Sequence, residues 1–299
     1  MDWETYKKLW PNSKWSNFVS SGKHRWHIQI KGTGNCILLL HGTGSSVHSW
    51  SNIFKQLSQR FEVVAVDLPG HGFTKLGTKQ RSSLTHMSAD IITLCNQEGI
   101  NPDYVIGHSA GAAVALEISK TLTLNGVVGL NSALSKFGGI ASWAFPMLAK
   151  LIALNPFIPS YLASLGGNSR RVKKLLNDTG SNLSEGQIKF YEALFKDKSH
   201  VEGALLMMSQ WNLDRLLLRL SELRTATLLV AGDRDTTIPF KIASQVANTL
   251  PNGEFQILEN LGHLAHEEDP NQILQIITAF IQKIENRKSQ ETSHLENLI

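Results

Sequence analysis

The 299-residue chain contains only two cysteines, Cys36 and Cys95. One lies in an apolar run, the other in a segment of helical patterning, and neither has metal-ligand spacing around it. A disulfide framework and a cysteine metal site are therefore excluded, and buried free thiols in a reducing compartment are expected. No uncharged apolar run reaches the roughly 18 residues that a transmembrane helix needs, so none is expected. The opening residues, MDWETYKKLWP, lack the apolar segment and small-residue cleavage site of a secretory signal. A cytoplasmic protein is expected. A strong charge imbalance is missing too, since 29 basic against 25 acidic residues leave a net +4. The densest basic stretch, Arg170, Arg171, Lys173 and Lys174, has no interleaved aromatics. It reads as a solvated helix face, with an anionic ligand or peripheral contact with a membrane as the lesser reading. Nucleic acid is set aside.

What the chain does have is apolar mass, 42% of its residues, enough for a sizeable core. The apolar residues fall in short, nearly continuous runs: Cys36–Leu40, Phe61–Val66, Tyr104–Ile106, Gly126–Leu130, Thr227–Val230 and Phe255–Leu258. Continuous rather than alternating hydrophobicity marks strands buried on both faces. Helix-like segments lie between them, roughly Trp50–Gln59, Leu84–Glu98, Ala110–Thr121 and Lys241–Thr249. The alternation predicts a mostly parallel, doubly wound α/β sheet. His24–Ile30 alternates polar with apolar and suits an antiparallel edge strand. From about Lys136 to Asp214 no strand pattern occurs, and this unusually apolar stretch reads as an inserted helical cap. The expected organisation is a core of residues 1–135 and 215–285, a cap of 136–214, and a disordered polar tail of 286–299.

Gly107-His108-Ser109-Ala110-Gly111 directly follows one strand and opens a helix, which is the context that gives G-x-S-x-G its meaning. A tight elbow of small residues would lift the Ser109 hydroxyl into a cleft. A serine needs a base to take its proton, and His263 follows the Phe255–Leu258 strand. The orienting acid should follow an earlier strand. Asp235 is favoured and Asp233 competes, while His266 is the competing base. The order Ser109, Asp235, His263 is that of the α/β-hydrolase triad. The loop His41-Gly42-Thr43-Gly44 follows the Cys36–Leu40 strand, and the backbone amides of Thr43 and Ala110 are the candidate oxyanion donors. A nucleotide loop is excluded there. Neither Gly32-x-Gly34 nor Gly42-x-Gly44 finds its third glycine, because Ile37 and Val47 stand in those places. Asp67-Leu68-Pro69-Gly70-His71-Gly72 reads as a structural turn. Neither His71 nor His108 has metal-ligand spacing, so no metal and no cofactor are expected.

The motifs together, HGTG at 41–44, DLPGHG at 67–72, GHSAG at 107–111, GDRD at 232–235 and GHLAHEEDP at 262–270, resemble the α/β-hydrolase superfamily across nearly the whole chain. A narrower likeness rests on HGTGSSVHSW, DLPGHGFT, GHSAGAAVAL, GLNSAL, LNPFIP, MMSQWNL and LGHLAHEEDP. These stretches are similar to the magnesium-chelatase accessory proteins of bacteriochlorophyll biosynthesis. That resemblance implies a role beside Mg²⁺ insertion into a porphyrin and chelatase subunits as partners. The chain has no P-loop and could only assist such a reaction. A serine at the elbow argues against haloalkane dehalogenases and epoxide hydrolases, which need a carboxylate there. The expected activity is hydrolysis of a hydrophobic ester or thioester, against a porphyrin escort or a general carboxylesterase. Trp143, Phe145, Met147, Phe157, Met207, Met208 and Trp211 of the cap are the candidate contacts for a hydrophobic ligand, each weighed against plain core packing.

Overall fold

A computed structural model describes residues 1–135, 155, 157–166 and 168–296. Eight strands form one sheet in the order β1-β2-β4-β3-β5-β6-β7-β8. They are β1 (Ser16–Ser21), β2 (His24–Lys31), β3 (Cys36–Leu40), β4 (Glu62–Val66), β5 (Tyr104–His108), β6 (Gly126–Leu130), β7 (Ala226–Gly232) and β8 (Gly253–Leu258). The neighbours from β4 to β8 all pair in parallel, while β1 and β2 run antiparallel.

Strand β3 shows why the apolar runs are continuous. Its side chains alternate between two separate cores: Leu38 and Leu40 join one, Ile37 and Leu39 the other, and all four are fully buried. Helices α1 (Leu84–Glu98), α2 (Ala110–Ile118) and α3 (Phe240–Thr249) supply the first core. Helices α4 (Ser51–Leu57) and α5 (Pro270–Glu296) supply the second through Ile53, Phe54, Ile277 and Phe280. Helix α1 begins on the Ser83 cap, whose side chain accepts from the His86 amide, and ends on Gly99 at φ 67°. Both are the residue types that stop a helix cleanly.

Two expectations need correction. His24–Ile30 lies in β2, which is antiparallel but not the edge; β1 covers it. Strand β1, Ser-Asn-Phe-Val-Ser-Ser, is half exposed and serine-rich, so it carries too little apolar pattern to announce itself. The tail is also not disordered from residue 286, because α5 continues to Glu296. No glycine or proline interrupts residues 271–296. Asn35 donates to Glu285 at 2.9 Å, and Lys288 donates to Asn125, which ties this part of the helix to core loops.

Between β6 and β7 the described chain is helical: α6 (Phe157–Leu165), α7 (Ser169–Asn177), α8 (Glu185–Lys196), α9 (Lys198–Gln210) and α10 (Asp214–Leu218). Its contact with the core is close. A Cβ on Gly203 of α9 would stand 2.1 Å from the Gly70 carbonyl oxygen, so only glycine lets the helix rest on that loop.

Candidate active site

The candidate nucleophile sits between β5 and α2 with φ 51° and ψ −114°, a conformation that side chains rarely adopt. Packing holds it there. The Ser109 amide donates to the Leu130 carbonyl at 2.9 Å, and its own carbonyl accepts from Ala133. Gly107 and Gly111 are required on either side: an added Cβ would lie 2.3 Å from the Gly111 oxygen and 2.2 Å from the Leu40 oxygen respectively. Ser109 itself is half-buried.

The expected acid and base meet. His263 Nδ1 lies 2.8 Å from Asp235 Oδ2. The amides of Thr237 and Ile238 both donate to Asp235 Oδ1 at 2.8 Å, and Asn131 Nδ2 donates to Oδ2 at 2.9 Å. An ionised carboxylate only accepts, so His263 presents a proton from Nδ1, which in the neutral ring leaves the lone pair on Nε2. Asp233 is exposed and instead accepts from the Asn260 amide at 2.7 Å. His266 is buried on the short helix Ala265–Glu268, with Nε2 2.7 Å from Ser49 Oγ. Burial pushes its ring down to about 3, and His263 and His48 add to that.

The nucleophile and base segments are joined through His108. Its Nε2 donates to the His263 carbonyl at 2.9 Å, and burial, with His266 next, holds it well below the usual histidine range. Gly42 of the loop after β3 packs on the same elbow. A Cβ there would fall 2.8 Å from His108 Nδ1 and 3.0 Å from Ser109 Cβ. Thr43, next along, and Ala110, the residue after the elbow, are thus near neighbours of Ser109. Neutral His41 shapes the loop: Nε2 accepts from the Leu68 amide at 2.9 Å and Nδ1 donates to the Gly42 carbonyl at 2.8 Å. Burial lowers its pKa.

Asp67 of the DLPGHG turn anchors this side. It accepts from the Val47 and Phe73 amides at 2.7 and 2.9 Å and contacts His27 Nδ1 at 2.7 Å. Burial alone would raise its pKa, but His27 and these donors hold it at about 2.

Three contacts around the candidate site escaped the sequence reading. Asn131, at φ 45° just beyond β6, steadies Asp235 and also donates to Gly262 at 3.2 Å. An asparagine directly after an apolar strand was the available signal. His200 on α9 accepts from the Gly72 amide at Nδ1 (3.0 Å) and donates from Nε2 to the Gly44 carbonyl (3.1 Å). Burial, then His71, keeps it well below the usual histidine range, so it stays a neutral clip between the insertion and two core loops. Thr179 beyond α7 offers one carbonyl to the amides of both Thr236 and His263, each at 3.3 Å. Nothing in the sequence signals that bond.

The candidate ligand contacts separate. Met207 is fully buried, and its sulfur accepts from Thr43 Oγ1 at 3.4 Å, beside the elbow. Met208 and Trp211 are half-buried. Phe157 is 79% exposed. It opens α6 on the side away from buried Pro159 and Ala163. Trp143, Phe145 and Met147 lie outside the described residues. A cavity of about 490 Å³ opens beyond His200, lined by Gly70, Gly72, Thr74, Lys79 and Asp197; neither Ser109, Asp235 nor His263 lines it.

A parallel sheet in this order, with a serine elbow after β5 and loops carrying acid and base after β7 and β8, defines an α/β hydrolase. Residues 37–276 match the model of the alpha/beta hydrolase family, and the chain belongs to that family. A magnesium-chelatase 30 kDa subunit from Rhodobacter capsulatus is 37% identical over 234 residues, covering 78% of this chain and 82% of that protein. The structure of a thermophilic esterase from Thermogutta terrifontis superimposes with a TM-score of 0.71 at 20% identity, covering 90% and 98% of the two chains. An epoxide hydrolase from Vigna radiata gives 0.70 at 20% identity over the same shares. The two solved structures carry different chemistries, so this likeness establishes the fold alone.

Proposed function

We propose that this protein is a serine hydrolase that cleaves an ester or thioester bond in a hydrophobic substrate. The observation that carries the reading is the Asp235–His263 pair, held by four polar contacts on the carboxylate, on loops adjoining the elbow of Ser109. In this reading His263 Nε2 takes the Ser109 proton as Oγ attacks the carbonyl carbon, and Asp235 stabilises the imidazolium that forms. The amides of Thr43 and Ala110 receive the developing oxyanion, each worth about 3–4 kcal/mol when aligned. His263 then returns its proton to the departing alcohol or thiol. Water, deprotonated by the same nitrogen, frees the acid and regenerates Ser109.

The likeness to a chelatase subunit supports a narrower proposal, that the substrate or ligand is a porphyrin or a pigment ester beside magnesium insertion, with chelatase subunits as partners. Met207, Met208 and Trp211 are the described side chains offered for that contact. A fluorophosphonate probe tests the first reading: labelling is expected in the wild type and lost in Ser109→Ala. An unlabelled wild type would overturn it in favour of an escort protein. Quenching of tryptophan fluorescence by protoporphyrin IX tests the narrower one. Saturable quenching, weakened by Trp211→Ala, is expected. Fast turnover of medium-chain esters with no such quenching would leave a general carboxylesterase.

A further inference from the structure

The outer helices of the insertion carry an apolar patch edged by arginine. Phe157, Tyr161 and Leu165 recur at helical spacing on α6, and the first two are 79% and 64% exposed. Leu165 lines a groove of about 250 Å³ together with Leu162, and Arg171, Val172 and Leu175 of α7 face them across it. Leu175 is 55% exposed. Three large apolar side chains standing in water on two neighbouring helices form a patch of the kind that marks an interaction surface.

Charge says which kind. Residues 118–177 contain no Asp or Glu and carry seven Lys or Arg. On α7, Lys173 pairs with Glu185 and Lys174 with Asp178. Arg170 and Arg171 are exposed, and among the described residues neither has a carboxylate partner. Both also sit in the first turn of α7, which has no acidic residue. That end of a helix dipole repels cations, so these arginines cost local stability. A locally unfavourable choice beside an exposed aromatic patch points to function.

We infer that this face is a docking surface for an anionic lipid bilayer, with Phe157, Tyr161 and Leu175 entering the headgroup boundary and Arg170 and Arg171 binding phosphates. Ring and aliphatic anchors beside basic residues are the composition of peripheral membrane contacts. No helix among the described residues is long and apolar enough to cross a membrane. The inference stands apart from the catalytic reading.

Sedimentation of the full chain with phosphatidylglycerol-containing vesicles tests it. Binding is expected to these vesicles, to weaken with salt, and to be absent on pure phosphatidylcholine. Arg170→Glu with Arg171→Glu should lose at least about tenfold in affinity. Phe157→Ser with Tyr161→Ser should lose a similar factor while keeping the salt dependence. All four positions are exposed, so the fold should survive, and a dye on Leu175→Cys gives an independent reading. Cys36 and Cys95 are buried and leave that label selective. A blue shift on the anionic vesicles is expected. Equal binding to both lipids, no binding to either, or unchanged variants would overturn the proposal. So would substitutions that dissociate a wild-type dimer without touching vesicle binding, which would make the patch a contact between copies.

Discussion

His108 and His263 are tied by a single bond, from a ring nitrogen of the residue before the elbow to the backbone carbonyl of the candidate base, at 2.9 Å. The bond fixes the base loop to the strand that presents the serine. His108→Ala should lower kcat on a p-nitrophenyl ester with KM little changed. It should also cost about 1–3 kcal/mol of stability, because the His263 carbonyl is left buried and unpaired. His108→Gln, whose amide can reach the same carbonyl, should recover part of kcat. Denaturant titration and steady-state kinetics on the two variants check both parts.

Asp235 and Asp233 should separate cleanly. Asp235→Asn is expected to reduce ester hydrolysis by roughly 10³–10⁴-fold, since an amide can force the wrong tautomer on His263. Asp233→Asn removes a charge at an exposed position while its amide oxygen can still accept from the Asn260 amide, and should change the rate by less than about twofold. Ser109→Ala should abolish turnover. The reverse ranking of the two aspartates would move the acid to Asp233.

The clip made by His200 gives a third expectation. His200→Ala leaves the Gly44 carbonyl and the Gly72 amide without their partner, a loss of about 1–3 kcal/mol. Because Gly44 adjoins Thr43, the loop proposed to hold the oxyanion should loosen as well, lowering kcat more than it raises KM. His200→Phe fills the volume without either bond and should not restore kcat. Rescue by phenylalanine would make the role one of packing only.

Glu267 predicts a pH dependence of stability. Its carboxyl is buried, accepts from Tyr191 Oη at 2.5 Å and from Ser49, and is pushed up to about 7 by burial. The folded protein therefore keeps this proton where the unfolded chain, near 4.5, has released it. Stability should fall as pH rises through that window and level off above it, by on the order of 1–3 kcal/mol. Glu267→Gln, which cannot ionise, should flatten the curve when urea midpoints are compared at pH 5 and pH 8.

Much of this was legible in the residues, for physical reasons. Strands such as β3 and β5 are buried on both sides and so read as unbroken apolar runs. The elbow needs glycines that packing forbids replacing, and those glycines stand in the motif. What escaped depends on partners far along the chain. Strand β1 is held by pairing with β2 rather than by its own pattern. The C-terminal helix is fastened to Asn35 through Glu285 and to Asn125 through Lys288, which no local rule could foresee. Asn131 and His200 matter only once the insertion and the sheet are brought together.

The carbonyl of Thr179, shared by the amides of Thr236 and His263, bears on how such proteins can be recombined. Residues from the turn at Gly180 onward are bonded to the core: Asn182 to Glu268, Tyr191 to Glu267, His200 to Gly44 and Gly72. A graft that imports a relative's whole insertion therefore replaces supports of the Asp235 and His263 loops along with the insertion's own surface. The workable joint lies at Asn177, the end of α7. Everything downstream of it is inherited with the supports of Asp235 and His263.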